Sequence, residues 1–83
     1  MNEWQLYIVE CADGTLYTGI TTDIERRLAQ HNDGTGAKYT RARGPVRLVY
    51  REKCGNRSSA TKREMEVKKL PRIQKSQLIQ TLT

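Results

Sequence analysis

The sequence predicts one small α+β domain, within the broad α/β class, in which helices flank a three-stranded mixed or antiparallel sheet. Short runs rich in β-branched and aromatic residues occur at positions 4–11, 15–21 and 46–54, which is typical of strands. Apolar residues at helical spacing follow the second and third of these runs. The 83 residues can bury only one core, so residues 1–83 form one domain. The predicted order is β-β-α-β-α-α.

The first two strands are predicted to form a hairpin around the turn signal Asp13-Gly14. A loop of residues 13–15 places all odd-numbered side chains on one face, so that Tyr7 and Tyr17 point the same way. A two-residue loop would place them on opposite faces, because a one-residue slip flips every side chain. Gly19 leaves no side chain beside the tyrosines and permits close approach of another backbone or a ligand.

The first helix is predicted to begin with a capping box, in which Thr22 is the N-cap and Glu25 lies three residues later. It should run to about His31. Ile24 supplies the apolar stripe together with the leucine four residues on. At 100° per residue, Arg27 and His31 flank this buried face.

A glycine-rich basic loop is expected at residues 32–45, and loops of this length in compact domains are usually functional. The third strand, 46–54, follows it. Ser58 or Ser59 should cap a helix that continues to Leu70, with Pro71 as its stop signal. A short final helix at 72–82 is predicted to turn three apolar side chains inward: Ile73, Leu78 and Ile79.

Charge is unevenly distributed along the chain. Residues 1–37 carry two basic and six acidic side chains, whereas residues 38–83 carry thirteen basic and three acidic ones. The formal net charge of +6 therefore conceals a strongly cationic second half. Such a field concentrates polyanions, which makes nucleic acid the first partner to consider. A solvated basic surface is the alternative.

The cysteines indicate the compartment. Cys11 and Cys54 lie in apolar runs, and no apolar segment long enough to span a membrane is visible in the sequence. We therefore expect a cytoplasmic protein with free thiols that does not engage a membrane. A disulfide would require the two strands to be neighbours, and a single histidine with two distant cysteines does not form a zinc set.

Glu64 lies nearer to the packing face of its predicted helix than a surface glutamate should, whereas Glu66 lies on the solvent side. One interpretation is an i,i+4 ion pair with Lys68. The other is a ligand for Mg²⁺, which needs only one or two protein carboxylates because it keeps several waters.

The chain resembles the GIY-YIG nuclease superfamily, and within it the small stand-alone bacterial members. The resemblance rests on Leu6-Tyr7-Ile8, on Tyr17-Thr18-Gly19, on the run from Arg26 to Asn32 that reads RRLAQHN, and on Glu64. It implies that Tyr7, Tyr17, Arg27 and Glu64 meet on one side of the sheet.

The resemblance also implies roles for these residues. Glu64 would hold one Mg²⁺ or Mn²⁺ ion, Arg27 would bind the scissile phosphate, and Tyr7 or Tyr17 would accept or relay the proton of the nucleophile. His31 would orient a tyrosine or the phosphate. Four residues of the basic loop would lie near the substrate backbone: Lys38, Thr40, Arg41 and Arg43.

The function implied is a metal-dependent endonuclease that hydrolyses phosphodiesters in DNA, acting on structured or damaged DNA as in repair. Many members carry an asparagine after the glutamate helix, but residues 71–83 contain none, so we expect activity that is weak or that needs a partner. A protein partner would also supply the substrate specificity that a superfamily core alone seldom provides. A basic nucleic-acid-binding module of the same fold with little or no catalysis is the main alternative. An adaptor that binds an acidic protein through residues 38–57 is the third.

Overall fold

The computed structural model describes residues 3–36 and 38–80. An antiparallel sheet has the strand order β2-β1-β3, so that β1 is central. The helices lie on both sides of it, which confirms the predicted class and order, with one short helix added inside the predicted basic loop. The elements are β1 (Trp4–Glu10), β2 (Leu16–Thr21), α1 (Ile24–Asp33), α2 (Lys38–Arg41), β3 (Arg47–Gly55), α3 (Arg57–Lys68) and α4 (Arg72–Gln80).

The hairpin places both tyrosines on the same face, as predicted, but its loop is longer. Tyr7 pairs with Gly19 and Val9 pairs with Tyr17, so residues 11–15 lie between the strands instead of residues 13–15. The reason is local, since the Asp13 carboxylate accepts hydrogen bonds from the backbone N–H and the hydroxyl of Thr15 at 3.1 and 2.6 Å. Side-chain bonds of this kind close a turn outside the strand ladder.

Each face of the sheet has its own apolar cluster. On the even-numbered face, Leu6 and Ile8 pack with Tyr50 of β3 and Val67 of α3. On the odd-numbered face, Val9 and Cys11 pack with Val46, and Leu28 of α1 covers them. The alternation of side chains along β1 therefore separates an α1 layer from an α3 and α4 layer. Cys11 and Cys54 are free thiols.

Helix α1 starts one residue later than predicted. Asp23 is the N-cap, and its carboxylate accepts the backbone N–H of Arg26 at 3.1 Å. The hydroxyl of Thr21 accepts the N–H of Asp23 at 3.1 Å, so the threonine before the helix supports the cap from outside. Aspartate is at least as good an N-cap as threonine, which explains why it displaces Thr22. The helix continues to Asp33 and ends at Gly34, whose φ of 86° is left-handed.

Helix α3, in contrast to α1, starts earlier than predicted. Its cap is Asn56, whose side chain accepts the N–H of Ser59 at 2.8 Å, so neither Ser58 nor Ser59 has this role. Gly55 has a φ of 79° and turns the chain out of β3 just before the cap. The glycine thus fixes where the helix can begin.

The final helix confirms two predicted contacts and corrects one. Leu78 and Ile79 pack against the even-face cluster, whereas Ile73 is 69% exposed. At 100° per residue, Ile73 lies more than 100° from both of them, so one helix cannot turn all three inward. The predicted extension to residue 82 lies outside the described residues. Within 3–36 and 38–80, no helix is long and apolar enough to cross a membrane.

One side chain at the end of α1 joins the two ends of the segment between α1 and β3. Asn32 accepts the backbone N–H of Val46 at 2.7 Å and donates to its carbonyl oxygen at 3.2 Å. A side-chain amide therefore satisfies both backbone groups of Val46 before the strand begins. The basic loop leaves and re-enters the domain at this point, so its two ends are fixed.

We expect Leu78→Ala to lower the free energy of unfolding by at least about 1 kcal/mol, because it removes packed methyl groups. Ile73→Ala in the same helix should change it by less than about 0.5 kcal/mol, since the side chain is mostly in water. Urea denaturation of both variants measures the difference. Equal losses would contradict the assignment of the two faces of α4.

Candidate active site

The Tyr7 ring lies across the backbone of the edge strand β2. Its side chain is 2% exposed. A Cβ atom placed on Gly19 would lie 2.6 Å from the Tyr7 hydroxyl oxygen and 2.7 Å from the adjacent ring carbon. The group that approaches Gly19 is therefore the tyrosine of the same chain. Glycine at this position allows a ring from the central strand to reach the edge of the sheet.

The Tyr7 hydroxyl contacts two side chains of α1. Its oxygen lies 2.8 Å from Nε2 of His31, and Nε of Arg27 donates to it at 3.4 Å. Burial raises the pKa of Tyr7, and the hydrogen bond and positive charge of Arg27 oppose this without overcoming it. The phenol is therefore protonated at neutral pH. Arg27 and His31 flank the buried face of α1, as predicted.

His31 is held from both ring nitrogens. It is 1% exposed, and its Nδ1 lies 2.7 Å from the Thr40 hydroxyl. Burial lowers the pKa of His31, and the positive charge of Arg27 lowers it further. The imidazole is thus neutral at pH 7, with one N–H and one lone pair to share between Tyr7 and Thr40. Gly36 packs directly on this residue, because a Cβ there would lie 2.8 Å from Nδ1.

Thr40 corrects one prediction about the basic loop. Its side chain is fully buried and contacts His31, so it does not lie at a surface where a substrate backbone could touch it. Lys38 and Arg41, the two ends of α2, are exposed. Arg43 is partly exposed and pairs with Asp13 at 3.2 Å. The loop therefore presents cations outward and holds His31 from within.

Tyr17 and Gln30 complete the wall around Tyr7. The Tyr17 ring lies 6.5 Å from that of Tyr7 and 5.4 Å from that of His31, centroid to centroid. Gln30 accepts a hydrogen bond from a terminal nitrogen of Arg27 at 3.1 Å and so holds the guanidinium. Sequence reasoning missed Gln30. Its spacing of three residues from Arg27 on one helix was the available signal.

Glu64 belongs to the helix on the other side of the sheet. Helix α3 packs on the even-numbered face through Val67, whereas Tyr7 belongs to the odd-numbered face. The negative charge of Glu64 nevertheless contributes to raising the pKa of Tyr7. Its carboxylate pairs with Lys68 at 3.4 Å, and the side chain is 21% exposed. The structure thus shows the expected ion pair of Glu64 directly, whereas the link between Glu64 and Tyr7 is a small electrostatic one.

A metal ion at this site would have to rely on Glu64 as its one carboxylate. Among residues 3–36 and 38–80, no group of three or more His, Cys, Asp or Glu side chains could hold a metal ion. This donor set fits Mg²⁺ or Mn²⁺ that keeps its waters and shares oxygens of a bound phosphate. It does not fit an ion that needs a complete protein cage. Lys68 would have to release the carboxylate first.

The model of the GIY-YIG catalytic domain matches residues 3–77. The chain belongs to the GIY-YIG family. A UPF0213 protein of Desulfotalea psychrophila is 58% identical over 92% of the chain and 70% of that protein. A UPF0213 protein of Halobacterium salinarum is 53% identical over 88% of the chain and 95% of that protein.

Two solution NMR structures share the fold. A UPF0213 protein of Bacillus halodurans has a TM-score of 0.61 at 49% identity, over 98% of this chain and 85% of that one. A protein of E. faecalis has a TM-score of 0.64 at 48% identity, over 99% of this chain and 86% of that one. The family assignment supports a nuclease-like function for the chain.

Gly19→Ala should destabilise the domain by about 1 to 3 kcal/mol, because the new methyl group would lie only 2.6 Å from the Tyr7 hydroxyl oxygen and would force the ring to move. The imidazole resonances of His31 should shift with it. Gly44→Ala is the matched control, since nothing lies within 4 Å of a Cβ there. NMR spectra and urea denaturation of the two variants test this, and an unperturbed Gly19→Ala would contradict the described packing.

Stability should fall as the pH drops below about 6.5, the ordinary histidine value, because the folded state holds His31 neutral while the unfolded chain takes up a proton. The loss continues until the pH passes the lowered folded-state pKa. His31 is the only histidine, so its NMR titration can be followed directly and should have a midpoint below 6.5.

His31→Gln serves as the control for this pH dependence. Stability that changes equally with pH between about 5 and 7 in this variant and in the wild type would show that His31 is not the titrating group. Asp13 and Asp33, whose pKa values are lowered by hydrogen bonds from Thr15 and Thr35, respond only at more acidic pH.

Proposed function

We propose that this chain is a metal-dependent endonuclease that hydrolyses phosphodiesters in DNA. The observation that carries the proposal is the environment of the Tyr7 hydroxyl. This group is almost completely buried and lies between a neutral histidine and an arginine. Burial requires one hydrogen-bond partner for the phenol, and Tyr7 has two, one of which is a guanidinium. Membership of the GIY-YIG family supports nuclease chemistry for this arrangement.

Tyr7 and His31 form the proton path in this proposal. The pKa of Tyr7 is raised and that of His31 is lowered, so both are neutral at pH 7. In the tautomer whose Nδ1–H donates to Thr40, Nε2 of His31 can accept the phenolic proton. Tyr7 can then take a proton from the attacking water as it passes its own to His31. His31 thus orients and serves Tyr7, the first of its two expected roles.

Arg27 binds the phosphate. Its guanidinium is half-buried, one nitrogen contacts the Tyr7 hydroxyl, and another is fixed by Gln30. A guanidinium held in this way can stabilise the extra negative charge of a pentacovalent phosphorus without reorganising. Tyr17 lies beside both Tyr7 and His31 and limits the entry of water from that side.

Glu64 would hold the divalent cation, Mg²⁺ or Mn²⁺. When bound, such an ion supplies Lewis-acid stabilisation of phosphate oxygens and lowers the pKa of a bound water. The carboxylate is suited to this role because its charge already reaches Tyr7, and because the side chain is partly open to solvent.

The surface of the basic loop would hold the DNA backbone. Lys38 and Arg41 are exposed, and Arg43 is partly exposed next to them in sequence. With thirteen cations in residues 38–83, binding should depend strongly on salt. We propose structured or damaged DNA in repair as the substrate, with a cytoplasmic location. A protein partner could supply specificity, since the described domain is small.

A nucleic-acid-binding module with little catalysis is the second candidate. The ion pair between Glu64 and Lys68 favours it, because a carboxylate neutralised by a lysine binds Mg²⁺ more weakly. The same basic surface would then act without turnover. Measurements of DNA affinity and DNA cleavage distinguish the two candidates, since a binding module binds DNA but does not cut it.

Arg27→Ala and Glu64→Gln should each lower Mg²⁺-dependent cleavage by about a hundredfold or more, because each removes a group that acts in the transition state. Glu66→Gln, on the same helix as Glu64, and Arg47→Ala should cleave like the wild type. Glu66 is 66% exposed and Arg47 is 75% exposed, and each makes an ion pair at the surface. Labelled flap, junction, duplex and single-stranded DNAs with Mg²⁺, Mn²⁺ or EDTA provide the assay.

The four variants separate the candidates. Cleavage that survives in all of them would show that Arg27 and Glu64 are structural and would reject the proposed site. If the wild type binds these DNAs in a salt-dependent manner but cuts none of them with either metal, the binding module is correct. Circular dichroism of Arg27→Ala establishes that any loss of cleavage is not a loss of fold.

A further inference from the structure

A cleft of about 290 Å³ borders Arg27 where the start of β1 and the end of β2 meet the first turns of α1. Its lining residues include an aromatic one, Trp4, an aliphatic one, Ile20, and two with polar side chains, Arg26 and Gln30. Asp23 also lines it, but its carboxylate is already used on the backbone N–H of Arg26. The cleft therefore offers an aromatic face, an apolar wall and cationic groups.

The cleft shares Arg27 with the candidate active site. One nitrogen of this guanidinium contacts the Tyr7 hydroxyl, and the same side chain forms part of the cleft wall. Gln30 likewise belongs to both, because it holds Arg27 and lines the cleft. A group that follows the phosphate bound by Arg27 would therefore enter this space.

Trp4 is the only tryptophan of the chain, and it is partly exposed at the first position of β1. The guanidinium carbon of Arg57 lies 5.4 Å from the centre of the ring, at the start of α3. This cation–π contact orients the indole and adds a positive charge beside it. An oriented aromatic ring next to exposed arginines is the arrangement with which proteins bind single-stranded nucleic acid.

We propose that this cleft is a subsite for an unpaired nucleobase, which stacks on Trp4 next to the phosphodiester held by Arg27. The proposal rests on the proposed function, since it is Arg27 that would bind that phosphate. A duplex shows only base edges in its grooves, whereas a stacking platform needs a base face. The subsite would therefore favour a flap, a strand end or a flipped base over intact duplex.

The indole emission of Trp4 reports on the subsite directly, because no other tryptophan contributes. The full chain is titrated in EDTA, where no metal-dependent turnover occurs, with a short thymidine strand and with an abasic strand of the same length. Both carry the same phosphates. We expect the thymidine strand to quench the emission and to bind about tenfold tighter or more, because only it can stack. Thymidine monophosphate shows whether the base binds without neighbouring phosphates.

Trp4→Leu should bind the two strands equally, as measured by the anisotropy of labelled DNA, whereas Trp4→Phe should keep a preference for thymidine. The phenylalanine variant keeps the test decisive if the leucine variant does not fold. Equal binding of both strands by the wild type, or thymidine binding without a change in emission, would overturn the proposal.

Cleavage with Mg²⁺ is read separately from this binding. Flaps can carry either a thymidine or an abasic residue beside the scissile bond. If both are cut at equal rates and the emission of Trp4 is not quenched, the nuclease proposal stands and the subsite is rejected. Quenching and a thymidine preference in a chain that cuts no DNA would keep the subsite and reject the nuclease.

Discussion

The hydrogen-bonded chain from Tyr7 through His31 to Thr40 is the constraint on which the rest of the odd-numbered face depends. All three side chains are almost completely buried, and each ring nitrogen of the histidine has one partner. Buried polar groups are costly when unpaired, so the chain must form completely or not at all. Two glycines make it possible, since Gly19 lies beneath the tyrosine ring and Gly36 against the imidazole.

The edge strand β2 lies between the two layers of helices. Tyr7 lies on the α1 side and reaches Gly19 of β2, whereas Glu64 is on α3, which packs on the other side of the sheet. The negative charge of Glu64 makes only a small contribution to raising the pKa of Tyr7, which burial dominates. Helix α3 is itself held on β3 by two bonds from Arg63 to Glu52, at 2.8 and 3.2 Å.

The face of the sheet on which each strand residue lies could be predicted from the sequence, whereas the choice among neighbouring candidate helix caps could not. The shared face of Tyr7 and Tyr17 followed from the pattern because any loop with an odd number of residues preserves it, although the loop has five residues and not three. The caps at Asp23 and Asn56 were missed because several neighbouring side chains can each cap a helix, and only the backbone angles decide which one does so. The prediction for Ile73 was wrong because the residue was assigned to the inward face for being apolar, without regard to its angular position on the helix.

The site shows the same division between local pattern and tertiary contact. Helix phase located Arg27 and His31 correctly because both lie on α1 beside its apolar stripe. Thr40 was assigned to a surface because its neighbours are basic, and nothing in the loop indicates that it turns inward to a histidine nine residues earlier. That contact ties the exposed helix α2 to the buried histidine, because Thr40 lies between Lys38 and Arg41 in sequence.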